Sequence, residues 1–250
     1  DADSGVRQSA IAGLAQVTEI GDQQFRSQMV EMVKDENIDT RLQALKALIH
    51  NGGFFQLEPA TNALDQMLAD GDPELRAAGV ELLGEIGSTT SLRRLLTHFE
   101  DPSDRVRLEA VLAIETRTHQ TISDVELIND IERRIARLLN DPVERIRQAA
   151  VTVLGRVGGR TAAKTLASCL NDPSLRVRTA VVEILAQRGK SIIPIVHPKL
   201  DASDPQVRKM AMVTLSRVNP KEYGPLIVAE IIHGNLLTTY RYDALAQALS

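Results

Sequence analysis

Thiols and bulky aromatic side chains are scarce in this chain of 250 residues. It contains one cysteine and no tryptophan, and only 3% of its residues are aromatic. A single cysteine excludes both an internal disulfide framework and a zinc site built from several thiolates. No apolar run reaches the roughly 20 residues that a membrane-spanning helix needs. We therefore expect a soluble cytoplasmic protein.

Small aliphatic side chains supply most of the apolar content. Hydrophobic residues make up 43% of the chain and charged residues 25%, so leucine, alanine, valine and isoleucine must form nearly all of the core. This composition is typical of packed helices. The formal net charge of −4 and the lack of tryptophan are a poor match for phosphate binding. We expect an all-α fold and no nucleic-acid partner.

One pattern recurs along the chain: an aspartate, often next to a proline, is followed six residues later by an arginine. Successive arginines are separated by 30 to 40 residues, which is the length of helical repeat units. The pattern occurs at Asp1/Arg7, Asp35/Arg41, Asp70/Arg76, Asp101/Arg107, Asp141/Arg147 and Asp172/Arg178, and in altered form at Ala202/Arg208 and Asn235/Arg241.

Each of these arginines begins an amphipathic helical pattern, which we call the motif helix. Positions are counted from the arginine, so that +4 is the fourth residue after it. Positions −1, +3, +4 and +7 are apolar almost throughout, and this spacing places them on one helix face. At +11 most units carry a residue suited to a left-handed helix end, namely Gly52, Gly87, Gly158, Gly189 or Asn219.

A second amphipathic stretch, which we call the first helix, precedes most motif helices. The Asp-Pro pairs lie between the two helices, where aspartate can cap a helix and proline suits its first turn. The sequence thus predicts one all-α solenoid of about seven to eight helix pairs over residues 1–250, and a chain cut from a longer polypeptide. The first helices are expected near 22–34, 57–69, 89–100, 122–140, 160–171, 190–200 and 221–233.

These units resemble HEAT repeats, specifically the short bacterial form called phycobilisome-lyase-like, over essentially the whole chain. The resemblance is clearest in three blocks, which begin Asp101-Pro-Ser-Asp-Arg, Asp141-Pro-Val-Glu-Arg and Asp172-Pro-Ser-Leu-Arg. It implies a right-handed α–α superhelix of the armadillo-like kind and a binding scaffold rather than an enzyme.

The resemblance also implies that the repeated aspartate and arginine form a structural ladder between adjacent units. Ala202 interrupts this ladder, so that Asp201 or Asp204 would have to supply the missing carboxylate. The best-defined members of the ladder are Asp70, Arg76, Asp101, Arg107, Asp141, Arg147, Asp172 and Arg178.

Enzymes with HEAT-like repeats provide little support for catalysis here. The deoxyhypusine hydroxylases hold two iron ions on His-Glu pairs, and this chain has no His-Glu dipeptide. Cys169 lies in an apolar stripe without a histidine at a helical neighbour position, which indicates a core residue. We expect no cofactor, no metal and no catalytic residue. Two alternatives stay open: a bilin-lyase-like protein that handles a chromophore, and a soluble regulatory domain of a membrane carrier resembling nucleotide transporters.

A partner protein, or another domain of the same chain, is therefore the expected ligand. One candidate surface is an edge formed by arginines two residues before the ladder arginine, although solvated turn residues near Asp104 and Glu144 would look the same. The other is the exposed face of the motif helices at +5 and +9, whose mixed polarity suits a protein. The edge contains Arg105, Arg145 and Arg176, and the motif-helix face contains Glu81, Glu85, Arg156, Glu183 and Arg217.

Overall fold

The computed structural model describes residues 3–17, 22–51, 57–118 and 124–232 of the chain. These residues form α-helices joined by short turns and 3-10 helices, and none of them is in a β-strand. The all-α fold predicted from the composition is confirmed. Contacts divide the chain into two compact units, residues 1–117 and 118–250, and each is described by itself.

In the compact unit formed by residues 1–117, motif helices alternate with the helices that we call first helices. Neighbouring motif helices α1, α3, α5 and α7 pack side by side, and each first helix packs against the motif helix that follows it. The α6 helix continues as a 3-10 helix over Leu96–Glu100. The helices are α1 (Ser4–Val17), α2 (Gln23–Met32), α3 (Ile38–His50), α4 (Glu58–Leu68), α5 (Pro73–Ile86), α6 (Thr89–Leu95) and α7 (Asp104–Arg117).

The second unit has the same alternation. Its motif helices α9, α11 and α13 pack in a row, while α8 packs on α9 and α10 on both α9 and α11. The short helix α12 lies between two 3-10 segments, Gly189–Ile192 and His197–Asp201, and the eighth predicted pair, Asn235/Arg241, lies outside the described residues. The helices are α8 (Val125–Leu138), α9 (Glu144–Val157), α10 (Arg160–Ser168), α11 (Leu175–Gln187), α12 (Ile193–Val196), α13 (Pro205–Val218) and α14 (Pro220–Ile232).

The apolar stripe of the motif helices forms the centre of each core. At +7, every motif helix from α3 to α13 buries its leucine or isoleucine almost completely, and each such burial stabilises the fold by roughly 1.5–3 kcal/mol. At +3, every described motif helix except α11, which has Val181, carries alanine or glycine, and this small residue lets neighbouring helices approach closely. A Cβ atom added to Gly79, for example, would lie 3.0 Å from the Leu68 side chain. The small residues of the repeat therefore set the helix spacing.

Left-handed helix ends are present at only some of the predicted positions. Gly87 and Gly189 both have a φ of 62°, so the prediction is confirmed there. It is wrong for Gly158, which is extended with a φ of −85°, and for Asn219, with a φ of −142°. Asn219 precedes Pro220, whose ring disfavours helical backbone in the residue before it. The fifth predicted end, Gly52, lies outside the described residues.

Aspartate capping of the motif helices depends on where the proline falls. Asp72 and Asp204 accept hydrogen bonds from the amides of Glu74 and Gln206 at 2.9 and 2.8 Å, as predicted. In three other units the capping prediction is wrong, because the helix starts three residues after the aspartate. The carboxylates of Asp101, Asp141 and Asp172 instead accept from the amides of Ser103, Val143 and Ser174.

No helix in the described part of the chain combines the length and the apolar character needed to cross a membrane.

Candidate interaction surface

The repeated arginines first serve to join neighbouring units. Three of them each face the aspartate of the following unit with both Nε and Nη2, at N···O distances of 2.8 to 3.0 Å. Such bidentate, charge-assisted contacts fix geometry as well as adding energy. The three pairs are Arg7 with Asp35, Arg76 with Asp101 and Arg147 with Asp172.

Two of these ion pairs, those of Asp35 and Asp101, lower the pKa of the carboxylate. Hydrogen bonding from Arg7 lowers the pKa of Asp35 below its ordinary value. For Asp101, burial raises the pKa, but hydrogen bonds from Arg76 and the Ser103 amide outweigh that and lower it overall. The aspartates are therefore held in the charged form that the arginines require.

A second role of the same arginines is to brace their own turn. In six units the Nη1 atom donates to the main-chain carbonyl six residues earlier, at 2.6 to 2.9 Å. Each also donates to the next carbonyl at 2.8 to 3.2 Å. The six-residue spacing seen in the sequence is thus the reach of one arginine side chain across the turn between two helices. The six are Arg41, Arg76, Arg107, Arg147, Arg178 and Arg208.

Two places in the ladder have arginine without the facing carboxylate. Arg41 bonds to its own turn, while Asp70 accepts from the Asp72 amide, and no ion pair joins them in the described residues. Arg178 faces the unit in which Ala202 replaces aspartate. The expected substitution by Asp201 or Asp204 is not observed, because Asp204 caps its own helix instead and no ion pair involves Arg178 within residues 124–232.

A further pair of arginines, which the sequence reasoning missed, clamps the ends of motif helices. Arg117 donates to the carbonyls of Gly84 and Glu85 in α5 at 2.7 and 2.6 Å. Arg188 donates to the carbonyls of Gly155 and Gly158 at 2.9 and 2.7 Å. Carbonyls in the last turn of a helix lack intrahelical partners and carry partial negative charge, so a guanidinium both satisfies and neutralises them.

Beside each clamp, a glycine lets the two motif helices approach closely. A Cβ atom on Gly84 would lie 2.8 Å from the Ala113 Cβ, and one on Gly155 would lie 2.5 Å from the Ile184 Cγ2. In both cases glycine at +8 of one unit faces arginine at +10 of the next unit. The signal was present in the sequence as this joint occurrence, which single-unit patterns do not reveal.

The motif-helix face of the first unit is rich in glutamate. Lys46 on α3 lies 2.8 Å from Glu81 and 3.5 Å from Glu85, both on α5. Burial lowers the pKa of Lys46, but the two carboxylates outweigh this and raise it. Between α5 and α7 is a groove of about 250 Å³, lined by these glutamates, Glu109 and Arg117 among others. This groove offers an acidic surface with a defined shape.

The motif-helix face of the second unit carries the other predicted residues of this surface. Arg156 is exposed on α9, Glu183 is exposed on α11, and Arg217 is half-buried on α13. Because α11 packs against both α9 and α13, the three side chains lie on consecutive helices of one row. This face therefore combines both signs of charge.

Two of the edge arginines lie near a glutamate of the preceding repeat. Arg105 approaches Glu74 at 3.7 Å, and Arg176 approaches Glu144 at 4.0 Å, all with exposed side chains. Arg145 is exposed as the second residue of α9. Exposed ion pairs of this kind contribute little free energy. The glutamates neutralise part of the positive charge of this edge.

An apolar groove in the first unit was not anticipated. Val6 and Leu14 of α1 are 49% and 39% exposed, whereas the leucine or isoleucine at +7 is buried in every later motif helix of the described chain. With Met29 and Met32 of α2 they line a groove of about 520 Å³. Exposed apolar patches often mark contact surfaces.

Candidate metal ligands do not cluster in the described residues. No group of three or more histidine, cysteine, aspartate and glutamate side chains there is arranged to hold a metal ion. The Cys169 thiol is partly buried, which raises its pKa, and its Sγ contacts the Thr165 carbonyl at 3.6 Å. A thiol with a raised pKa is a weak nucleophile at neutral pH.

Comparison with known families follows the repeat pattern. A sequence model of HEAT repeats matches residues 60–125 and 131–192, which together make up more than half of the chain. The chain belongs to the HEAT-repeat family. Its ladder and clamp residues are thus features of how these particular HEAT repeats stack. Among curated proteins, no sequence matches the chain.

Solved structures with similar folds have distant sequences. An engineered protein shares 16% identity with a TM-score of 0.50, over all of this chain and 75% of that one. The complex of CpcE and CpcF of phycocyanin lyase from Nostoc sp. PCC7120 shares 16% identity with a TM-score of 0.47, over 92% of this chain and 96% of that one. At this identity, the engineered protein shows similarity of fold alone.

Proposed function

We propose that this chain is a non-enzymatic HEAT-repeat scaffold that binds a partner protein, or another domain of its own polypeptide, through its motif-helix face. Membership of the HEAT-repeat family supports an interaction role. The observation that carries the choice of surface is the placement of charged side chains at +5 and +9 on neighbouring motif helices. These positions present Glu81 and Glu85 in the first unit and Arg156, Glu183 and Arg217 in the second.

Charge of both signs on one face favours a protein ligand. Interfaces between proteins combine charged rims with specific hydrogen bonds, and opposite charges orient the two partners. The edge arginines Arg105, Arg145 and Arg176 are a secondary proposal for an acidic partner surface. Their partial neutralisation by glutamates makes the motif-helix face the first target for mutation.

The test compares two double variants with the same change in net charge. Arg156→Glu with Arg217→Glu alters the motif-helix face of the second unit. Arg160→Glu with Lys221→Glu alters exposed residues of the first helices α10 and α14. The proposal expects a partner captured by the wild-type chain to be lost in the first variant and kept in the second, with unchanged circular dichroism in both.

Retention of the partner by the Arg156→Glu, Arg217→Glu variant would place the binding surface elsewhere on the molecule. The bilin-lyase alternative is tested with the same purified chain. After incubation with a free bilin and gel filtration, the scaffold proposal expects no visible absorbance in the protein peak. Bilin that stays with the chain would contradict a non-enzymatic scaffold.

A further inference from the structure

Complete rungs of the ladder hold a carboxylate with three donors. In the Arg147–Asp172 rung, Nε and Nη2 of the arginine bond to the two carboxylate oxygens at 2.8 and 3.0 Å. The amide of Ser174, two residues after the aspartate, adds a bond of 2.8 Å. The Arg76–Asp101 rung repeats this arrangement with the Ser103 amide. The Nε and Nη2 edge of the arginine and one main-chain amide therefore bind the carboxylate together.

Arg178 is held in the same way as Arg147, but the next repeat has no aspartate at the position that would face it. Its Nη1 donates to the carbonyls of Asp172 and Pro173 at 2.6 and 3.1 Å, just as Arg147 donates to Asp141 and Pro142 at 2.9 and 3.2 Å. Because these bonds fix the guanidinium in the same way, its Nε and Nη2 edge faces the next unit. There Ala202 occupies the aspartate position, and the amide of Asp204 occupies the position of the third donor.

Among residues 124–232, no hydrogen bond or ion pair involves the Nε and Nη2 edge of Arg178. The residue is only 9% exposed, and its Nε atom is buried without a hydrogen bond. A second buried donor without a partner, Nε2 of Gln206, lies four residues after Ala202 in the chain. Buried donors that lose water without gaining a partner are destabilising, and this is most severe for a charged group. An anion entering this place would satisfy the buried charge.

We propose that the junction between Arg178 and Ala202 is a binding site for a carboxylate anion, in the position of the missing aspartate carboxyl group. The difference in size between alanine and aspartate is one carboxyl group, so the site fits a carboxylate of small size. Access is available from solvent, since Ser203, Asp204 and Pro205 are exposed and Ala202 is half-buried. The same carboxylate chemistry is presented by a free small acid and by an acidic side chain of a partner protein.

Charge around the site favours one negative charge over two. Asp201 and Asp204 adjoin Ala202 in the chain, and both are exposed and acidic. Their field opposes a dianion such as phosphate more strongly than it opposes a monoanion. The planar fork of arginine further matches the two oxygens of a carboxylate.

The direct test follows the Nε–H signal of Arg178 by nitrogen-15 NMR in the full 250-residue chain. The signal is assigned by its loss in Arg178→Lys. Sodium formate is titrated against sodium chloride at constant ionic strength. We expect a saturable shift with formate only. A ligand of three heavy atoms should reach half-saturation at about 1 mM or above.

Variants at the alanine make the test specific. Ala202→Asp supplies the carboxylate within the chain, so it should abolish the formate response and raise the melting temperature by roughly 2–4 °C. Ala202→Asn has the same shape without the charge and should raise it less. If Ala202→Asp does not fold, the main-chain amide signal of Asp204, which remains observable in Arg178→Lys, keeps the test decisive: its formate response should be present in the wild-type chain and lost in Arg178→Lys.

A second ligand distinguishes between a free small acid and an acidic side chain of a partner protein as the source of the carboxylate. N-acetyl-aspartate N-methylamide presents a carboxylate on a side chain, and a response at lower concentration than formate would indicate an acidic residue of a partner. A stronger response to formate would indicate a free small acid. An absent formate shift, or an equal shift with chloride, would overturn the proposal.

Discussion

Arg147 and Arg178 occupy equivalent positions in adjacent units and make the same bonds to their own turns, yet only Arg147 faces a carboxylate. Asp172 and Arg147 are 7% and 9% exposed, so the pair is nearly out of contact with solvent. Removing one partner of such a pair leaves a buried charge, which is more destabilising than the loss of an exposed pair. The two arginines therefore form a natural matched comparison.

We predict that Arg147→Met destabilises the second unit by about 3–5 kcal/mol, because Asp172 is left buried and unpaired. Arg178→Met should be less destabilising, since no ion pair of Arg178 is lost. The measurement is urea unfolding followed by circular dichroism, because the chain has no tryptophan to report fluorescence. Equal losses in the two variants would contradict the importance of the carboxylate.

His98 gives a second residue-scale prediction, for the pH dependence of stability. Burial lowers the pKa of His98, and Arg94 and Arg76 add to this against the opposing effect of Asp101. The unfolded chain therefore takes up the proton first as pH falls below about 6.5. Stability should decrease as the pH falls below about 6.5, and His98→Gln should remove this component. A difference between the two proteins that stays constant with pH would contradict it.

At the scale of elements, the close contact of α5 and α7 depends on glycine. We predict that Gly84→Ala destabilises the fold by roughly 1–3 kcal/mol, because its methyl group would lie 2.8 Å from the Ala113 Cβ and force the helices apart. Gly13→Ala is the control. Gly13 lies in α1, and a Cβ atom on it would have no neighbouring atom of the described residues within 4 Å. The substitution should therefore stabilise the folded state by roughly 0.4–1 kcal/mol.

Thermal unfolding of both variants measures the contrast. If Gly84→Ala is as stable as Gly13→Ala, then α5 and α7 tolerate a wider spacing and the clamp by Arg117 does not depend on the glycine. Loss of stability in Gly84→Ala alone supports the close approach.

The helices themselves were predictable from sequence because each one carries its own signals. The stripe at +3, +4 and +7 and the Asp-Pro turns lie within one unit, and they placed both helices of every described pair. Features that depend on contacts between two repeats were harder to predict from the sequence. The extended end at Gly158 coincides with donation from Arg188 to its carbonyl, and the sequence of one unit contains nothing of that contact.

The interaction surface was only partly predictable for the same physical reason. Periodicity gives the face on which Glu81 and Arg156 lie, but the pairing of Lys46 with two glutamates depends on helix spacing. The apolar groove beside Val6 and Leu14 shows the limit most clearly. Their stripe positions predict burial, and their exposure follows from the packing around α1 and not from their identity.

For the whole molecule, charge distribution is the property most relevant to partner choice. Residues 1–99 contain 8 basic and 15 acidic side chains, whereas residues 100–190 contain 15 and 13. Uneven charge can steer and orient a protein partner, and salt weakens that steering. The formal net charge of −4 averages over this asymmetry.

We predict that the chain does not shift duplex DNA in a gel assay at about 50 mM salt, where non-specific binding is strongest. Residues 1–99 carry a net negative charge, and Glu74 and Glu144 offset part of the positive charge of Arg105 and Arg176. The comparison variant is Glu74→Gln with Glu144→Gln, which removes the carboxylates near Arg105 and Arg176. It should bind DNA at least as well as the wild-type chain. A shift by the wild-type chain would instead favour a nucleic-acid partner.

The arginine clamps also define what can be exchanged in this protein. Glycine at +8 and arginine at +10 occur in successive units, at Gly84 with Arg117 and at Gly155 with Arg188. Neither the donor nor the acceptor unit is self-sufficient, so the smallest interchangeable module is a pair of repeats. Deleting or duplicating a single repeat of such a pair would leave an arginine facing a helix end that has no space for it. Gene duplications or designed length variants that move two repeats together would keep every clamp intact.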